Sequence, residues 1–449
     1  QAGAAGWTNF GSGSVFRTHR IQEPGCCPRS VGLYHILWRV KVWLIFRPEC
    51  DILWEMENHS VYLHIPFCRT RCGYCDFNTT AGMMLHIPAY VEALTREMRS
   101  VGGRSGQKVR VHTLFFGGGT PSLLPPKSVE RILTTAREVF AVQPEAEITL
   151  EANPGTVSRE GLAALRAAGV NRLSMGMQSA HAEDLQLLQR GHTAEDVRQA
   201  VRWAREAGFE NLSLDLIFGL PRLSLERWKI TLEEALALDV EHLSLYSLIV
   251  EEGTPLARWV ETGKVEAPDE DSAAEQYEWA MERLEAAGYV HYEISNWARR
   301  RAQGGHWGSL HNLQYWRNQP YYGFGAGAHG SLNGLRLVNA AEMAEYITRC
   351  AAGESQAYPR GPATVEVLEI DRETEIEETL MVGLRLTDEG VGRQAFWTRF
   401  GEALEDRYLR QIEQLTREGL VELTDDRLRL TRRGRLLGNR VFSAFLGGD

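Results

Sequence analysis

The chain has 449 residues, of which 43% are hydrophobic and 24% charged, with a formal net charge of −10. That length holds two or three domains with ample core, the composition is that of a globular protein, and the acidic balance argues against nucleic acid as the main partner. No apolar run reaches the ~18–20 residues of a membrane span; the nearest, residues 31–46, is interrupted by Arg39 and Lys41. Of seven cysteines, three are clustered, while Cys26, Cys27, Cys50 and Cys350 are scattered. With no paired framework, the expected compartment is reducing, the cytoplasm.

Residues 1–55 stand apart: they are rich in Gly, Trp, Arg and Cys and show no sustained period. Met56 comes just before the first good strand, so 1–55 is expected to be an atypical extension upstream of a natural start at Met56. Strands are predicted at 61–65, 111–116, 147–151, 172–176, 212–217, 243–248 and 291–294, and helices near 88–101, 126–140, 158–168, 182–189, 195–207, 224–238 and 270–286. Such alternation implies parallel strands with right-handed crossovers. Six or more units predict a full or partial TIM-type barrel over 56–290, an α/β fold with its chemical residues at the C-terminal strand ends. Residues 291–364 read as an extension and linker: 295–335, rich in Gly, His, Asn, Trp and Tyr, is a loop-like functional stretch, and 354–364 is a linker. Helices at 373–386, 393–399 and 403–419, two short strands within 420–430 and a last helix from Thr431 predict a winged-helix-like module over 365–449. Its Arg427, Arg429, Arg432, Arg433 and Arg435 read as a solvated face or a docking surface rather than a grip on DNA.

The cysteines Cys68, Cys72 and Cys75 follow the first strand in a C-x3-C-x2-C spacing. Three thiolates on one loop suit three irons of a [4Fe–4S] cube. The fourth iron is left for a ligand that is not protein, the role of S-adenosylmethionine (SAM) in the radical SAM enzymes. A zinc site with His64 as fourth ligand is the alternative, but this is not a finger spacing. Phe115-Phe-Gly-Gly-Gly-Thr-Pro121 follows the second strand, and its glycines let backbone approach a ligand. Glu151, ending the third strand, can accept from ribose hydroxyls, and Gln178, ending the fourth, can bond the same sugar or the SAM carboxylate. Arg190 can pair with that carboxylate as a fork. Asp215 sits within an otherwise apolar strand, where a polar group facing the interior needs a partner. Taken singly, each of these could be a buried structural group.

Together, Tyr62-x-His-Ile-Pro-Phe-Cys68, Cys72-x-x-Cys75, Gly117-Gly-Gly-Thr-Pro121, Glu151-Ala-Asn-Pro154 and Asp215-Leu-Ile-x-Gly-Leu-Pro221 resemble the oxygen-independent coproporphyrinogen III oxidase family, from about Tyr62 to the C-terminus. The resemblance implies that Cys68, Cys72 and Cys75 bind the cluster and that Tyr62, Gly118, Gly119, Thr120, Glu151, Gln178, Arg190 and Asp215 contact SAM. The oxidase branch carries a further cysteine where this chain has Phe77. The haem-chaperone branch is marked by H-N-x-x-Y-W, which His311-Asn-Leu-Gln-Tyr-Trp316 matches in full. By that resemblance His311 is a candidate axial ligand of haem iron, with Tyr315 and Trp316 offering flat surface for the porphyrin; His329 is a secondary candidate. One departure is Arg222-Leu-Ser224, where the family follows Gly-Leu-Pro with Gly-Gln-Thr. The implied function is transfer of haem to target proteins; the alternative is oxidative decarboxylation of coproporphyrinogen III. The implied partners are haem or porphyrin, haem-accepting proteins such as respiratory enzymes, an electron donor, the membrane periphery and a second copy of the chain.

Overall fold

The computed structural model describes residues 58–353 and 356–447; the expectations for 1–55 and Met56 lie outside the described residues. Strands β1 (His59–Ile65), β2 (Arg110–Gly118), β3 (Ala141–Ala152), β4 (Arg172–Gln178), β5 (Asn211–Phe218) and β6 (His242–Ser247) alternate with helices α1 (Ile87–Gly102), α2 (Pro126–Val139), α3 (Arg159–Ala168), α4 (Ala182–Leu187), α5 (Ala194–Glu206) and α6 (Leu225–Ala237). Next come α7 (Pro255–Glu261) and α8 (Glu270–Ala286), the antiparallel pair β7 (Tyr289–Glu293) and β8 (Asn296–Arg299), and α9 (Leu310–Trp316). Strands β9 (Tyr321–Phe324), β10 (His329–Leu332) and β11 (Leu335–Asn339), helix α10 (Met343–Ala352) and strand β12 (Thr364–Glu369) complete the sheet. Its order is β12-β11-β10-β9-β1-β2-β3-β4-β5-β6-β8-β7. From β9 to β6 every pairing is parallel; the flanking pairs are antiparallel. This is a partial TIM-type barrel, an arc with two edges.

Period-2 alternation explains the strands. Leu212, Leu214 and Leu216, like Leu173, Met175 and Met177, join the core beneath the helices. The residues between them, Ser213 and Asp215 or Ser174 and Gly176, face the lumen. The helices start on designed caps: Ser158 accepts from Gly161 N, Thr193 and Asp196 form a reciprocal capping box, and Asp269 accepts from Ser272 N. The Arg222-Leu-Ser224 departure has a local reason, since Ser224 caps α6. Arg222 takes φ +60°, a conformation that glycine adopts without strain.

The predicted loop-like stretch is corrected. Residues 295–335 hold β8, α9, β9 and β10, and β9 lies parallel beside β1. Tyr322, Phe324, Leu332, Leu337, Met343, Tyr346 and Ala363 belong to the same core as the barrel. The predicted linker is packed too: Tyr358 Oη lies 2.7 Å from Tyr322 Oη, and Ala340 N donates to Ala363 O. These strands are short and rich in Gly and His, so propensity hides them and tertiary pairing decides.

The C-terminal module has its own core around Ile376, Leu380, Phe396, Ile412, Leu428 and Phe442. A three-stranded antiparallel sheet, Val391–Gly392, Arg427–Leu430 and Val421–Leu423, gives it the winged-helix-like form. It docks on the barrel edge: Ile294 N donates to Arg385 O, Thr387 N to Tyr292 O, and Arg435 Nη1 lies 3.0 Å from His291 Nδ1. The arginine patch is spent internally. Arg427 pairs with Asp426, Arg429 with Glu422, Arg432 with Glu282, and Arg433 donates to Glu418 O.

Candidate functional site: a cysteine loop above a polar barrel lumen

The cysteine loop is pinned at both ends. Thr80 N donates to Pro66 O and Gly82 N to Cys68 O, so Phe67–Cys68 and Thr80–Ala81 form a short parallel pair. Within it Cys75 N donates to Cys72 O, and Arg71 Nε to Cys75 O. All three thiols are free. Thr120 Oγ1 donates to Cys68 Sγ at 3.6 Å and Arg190 Nη1 to Cys72 Sγ at 3.7 Å. Such donors stabilise thiolate, while burial pushes the Cys68 and Cys75 thiols up. Among the described residues no three His, Cys, Asp or Glu converge on a single metal ion; a cubane gives each cysteine its own iron, so its ligands need not converge. His64 does not join the thiols, because its ring bonds Tyr62 Oη at 3.0 Å and Asn78 O at 2.8 Å. Phe77 is 41% exposed on the same loop.

Beside the loop, the glycine turn is threaded through its neighbours. Gly119 N donates to Ile65 O, and Thr120 N to Phe67 O. Gly118 has φ +107°, and a Cβ there would strike the His64 ring. Gly118 N donates to Glu151 Oε2 at 3.1 Å. Glu151 is level with Ser174, whose Oγ donates to Asp215 Oδ1 at 3.1 Å. Arg190 Nη2 donates to Gly176 O, and both Arg190 and Gln178 would meet a Cβ on Gly176 at 2.7 Å. Tyr62 stacks on Phe115 with centroids 6.3 Å apart. Seven of the eight expected SAM residues therefore lie in one layer of contacts under the cysteine loop, with Tyr62 at its rim. Burial first, then Asp215, pushes the Glu151 carboxyl up to about 8; burial also raises Asp215.

The residues fit the cofactors. Thiolates are the right donors, the glycines leave room that a Cβ would fill, and Arg190 Nε is buried without a hydrogen-bond partner among the described residues. In this arrangement Cys68, Cys72 and Cys75 would hold a cluster, and the Glu151, Gln178, Arg190 and Asp215 layer would hold SAM. When bound, that pair supplies one-electron chemistry at the C-terminal mouth of the barrel.

The H-N-x-x-Y-W segment forms α9, which closes the opposite end of the lumen. Glu147 on β3 accepts from Leu310 N at 3.2 Å and from His311 N at 3.3 Å. His311, 1% exposed, stacks on Phe115 with centroids 4.9 Å apart. Its Nδ1 lies 2.7 Å from Thr113 Oγ1, and its Nε2 lies 2.9 Å from Tyr315 Oη. Thr113 donates its hydroxyl proton to Ser60 Oγ, so Nδ1 carries the His311 proton and Nε2 the lone pair. Burial holds the imidazole neutral, down to about 3. Trp316 has other neighbours: the Arg385 guanidinium lies 4.4 Å from its ring, toward the C-terminal module. His311, Tyr315 and Trp316 thus do not share one open face for a porphyrin. His329, at the start of β10, makes none of the contacts that hold His311.

Sequence reading missed Ser60, Thr113, Glu147, Arg172, Ser174 and Ser244, all inward-facing. The strict alternation in Leu212-Ser-Leu-Asp-Leu216 and Arg172-Leu-Ser-Met-Gly176 is the signal that finds them.

The sequence pattern of the Radical SAM superfamily matches residues 62–235, and that of the HemN C-terminal domain residues 370–437. The chain is 39% identical over 389 residues to the heme chaperone HemW of Bacillus subtilis, covering 86% of this chain and 99% of that protein. The chain belongs to the HemW family of radical SAM proteins. It is 38% identical over 400 residues to the heme chaperone HemW of Mycobacterium tuberculosis (87% and 95% covered). It is also 36% identical to the mitochondrial radical S-adenosyl methionine domain-containing protein 1 of Mus musculus (84% and 86% covered). The solved coproporphyrinogen III oxidase (HemN) of Escherichia coli shares the fold at TM-score 0.73 and 23% identity, with 87% of this chain and 90% of that chain covered. Superfamily membership brings a [4Fe–4S] cluster and SAM.

Proposed function

We propose that the protein is a haem chaperone, which binds haem and transfers it to haem-requiring proteins. The observation that carries this is the match to a heme chaperone across 99% of that relative's length. Phe77, at the position of the oxidase's additional cysteine, supports it. In this reading Cys68, Cys72 and Cys75 hold the cluster, and Tyr62, Gly118, Gly119, Thr120, Glu151, Gln178, Arg190 and Asp215 contact SAM. His311 ligates haem iron through Nε2, the nitrogen with the lone pair, once the Tyr315 hydroxyl gives way. The free thiols of the loop favour a reducing compartment, the cytoplasm. Among the described residues no helix is long and apolar enough to cross a membrane. Respiratory enzymes reached at the membrane periphery are the proposed recipients, with an electron donor and a second copy as further partners.

The test is haem titration of the anaerobically reconstituted protein. Wild type gives a saturable Soret shift, H311A weakens it, and Y315F, which frees Nε2, binds at least as tightly as wild type. H311A binding haem with unchanged spectrum and affinity refutes the ligand assignment. Incubation with SAM, reductant and coproporphyrinogen III gives no decarboxylated porphyrin; product at many turnovers makes the protein an oxidase instead.

A further inference from the structure

Below the SAM layer, the lumen holds polar atoms that neither the cofactor site nor α9 uses. Thr149, Arg172 and Asn211 are level on three successive strands: Thr149 pairs with Arg172, and Arg172 with Asn211. Each lies two residues before a lumen-facing residue of its own strand (Glu151, Ser174, Ser213), so all three face inward. They are 0%, 2% and 7% exposed. Thr149 Oγ1, Arg172 Nε and Asn211 Oδ1 each lack a hydrogen-bond partner among the described residues. Three neighbouring side chains, all more than nine-tenths buried, therefore present unmet hydrogen-bonding capacity at one level of the lumen.

The guanidinium dominates the group. Its charge works against the burial that raises the Glu151 and Asp215 carboxyls, and it disfavours the charged forms of His242 and His311. It thus lies centrally in the lumen, between the SAM layer and α9. No carboxylate stands within ion-pair distance of it among the described residues, and a buried guanidinium without a partner is costly. Glu147 lies two residues further down β3, and its oxygens are occupied by α9.

A carboxylate group fits this site. Two oxygens match the fork of an arginine, the Thr149 hydroxyl adds a donor, and the Asn211 amide adds another when its ends are exchanged. One negative charge also suits one arginine beneath two carboxyls better than a doubly charged phosphate does. The site lies two residues up β3 from Glu147, which holds the first turn of α9, about 7 Å, a depth that a two-methylene carboxylate arm can span from a haem held at His311. We propose that Arg172, Thr149 and Asn211 form a carboxylate pocket in the barrel lumen that takes a propionate arm of haem, an inference that rests on the haem reading above.

The experiment compares haem with haem dimethyl ester, whose carboxylates are blocked, by Soret titration of the full-length reconstituted protein as wild type, R172M, R172K and T149V. Wild type binds the ester at least about tenfold more weakly than haem, the scale of one charge-assisted pair. R172M loses at least about tenfold toward haem and little toward the ester, R172K recovers part of the loss, and T149V loses a few-fold toward haem alone. Equal wild-type affinity for haem and ester overturns the pocket and leaves the haem reading standing, and so does an R172M loss equal for both ligands. Absence of haem binding by folded wild type removes both. If R172M does not fold, the ester comparison and T149V decide.

Discussion

Glu147 makes one buried carboxylate responsible for where α9 sits. Its oxygens accept from Leu310 N at 3.2 Å, His311 N at 3.3 Å and Ser309 Oγ at 3.5 Å. Glu147→Ala strands two main-chain donors at the first turn of α9 and removes a negative charge from the positive end of its dipole. A hydrogen bond to a charged group contributes about 1.5–3 kcal/mol, but all three contacts are long, so about 1 kcal/mol each is the appropriate scale. The helix-end charge adds up to about 1 kcal/mol. The sum is a loss of about 3–4 kcal/mol. Glu147→Gln keeps one acceptor oxygen and should lose roughly half as much. Urea unfolding of the cofactor-free protein, followed by circular dichroism, measures both. Because His311 N is one of the donors, E147A should also weaken haem binding while leaving SAM binding, at the other end of the lumen, nearly intact. E147A within about 0.5 kcal/mol of wild type, or a SAM affinity that falls as far as the haem affinity, would refute the reasoning.

Gly118→Ala forces a side chain into φ +107° and against the His64 ring. It should cost about 2–4 kcal/mol in urea unfolding and lose SAM binding; adding H64A should restore only the steric part, and full recovery would show that the backbone is not strained. Glu151 supplies a pH signature. Its carboxyl, near 4.5 when unfolded, is raised to about 8 when folded. The folded state therefore holds a proton that the unfolded chain releases, and this contribution is full below about pH 4.5 and falls as pH rises toward 8. The stability difference between wild type and E151Q should shift against wild type from pH 6 to 8, by at most about 1.4 kcal/mol per unit; a pH-independent difference would exclude the raised carboxyl. Arg385 lies 3.7 Å from the fully buried Glu293 and over Trp316. R385M should cost about 3–5 kcal/mol by leaving that carboxylate buried without a counter-charge, and the R385M/E293Q pair should cost less than R385M; equal losses would show that the carboxylate is not the source.

Much of the barrel was legible because its strands carry two signals at once. In Leu212-Ser-Leu-Asp-Leu216 the apolar positions fix the strand, and Asp215 marks the chemistry. The cysteine loop and the Gly117-Gly-Gly turn were readable because no other residue types do their work. Strand β9 was not, because Tyr321–Phe324 is four residues long and its partner β1 lies far away in the chain. The surroundings of His311 were illegible for a related reason. H-N-x-x-Y-W places Tyr315 one turn after His311, which brings their side chains together. Nothing local says that Phe115 and Thr113 of β2 enclose them, or that Trp316 turns toward Arg385.

The same alternation explains why a chaperone and an oxidase can share this barrel. Outward residues such as Leu173, Met175 and Leu214 hold the fold through the helices, so the lumen is free to carry polar groups that contribute little to the core. Those groups are not independent. Ser213 Oγ lies 2.7 Å from His242 Nδ1, His242 Nε2 lies 2.7 Å from Tyr292 Oη, and Tyr292 accepts from Ser309 N at the start of α9. A network of hydrogen bonds thus runs from β5, two residues below Asp215, to the helix that carries His311. It starts below the SAM layer, at Ser213, and ends at Ser309, the cap of α9; whatever carries the coupling, any difference in haem affinity caused by SAM must be matched by an equal effect of haem on SAM. Fold alone does not choose between the two activities. In the reading proposed above, the choice falls to residues set on this common frame: Phe77 on the cysteine loop, and His311 with Tyr315 at the far end of the lumen.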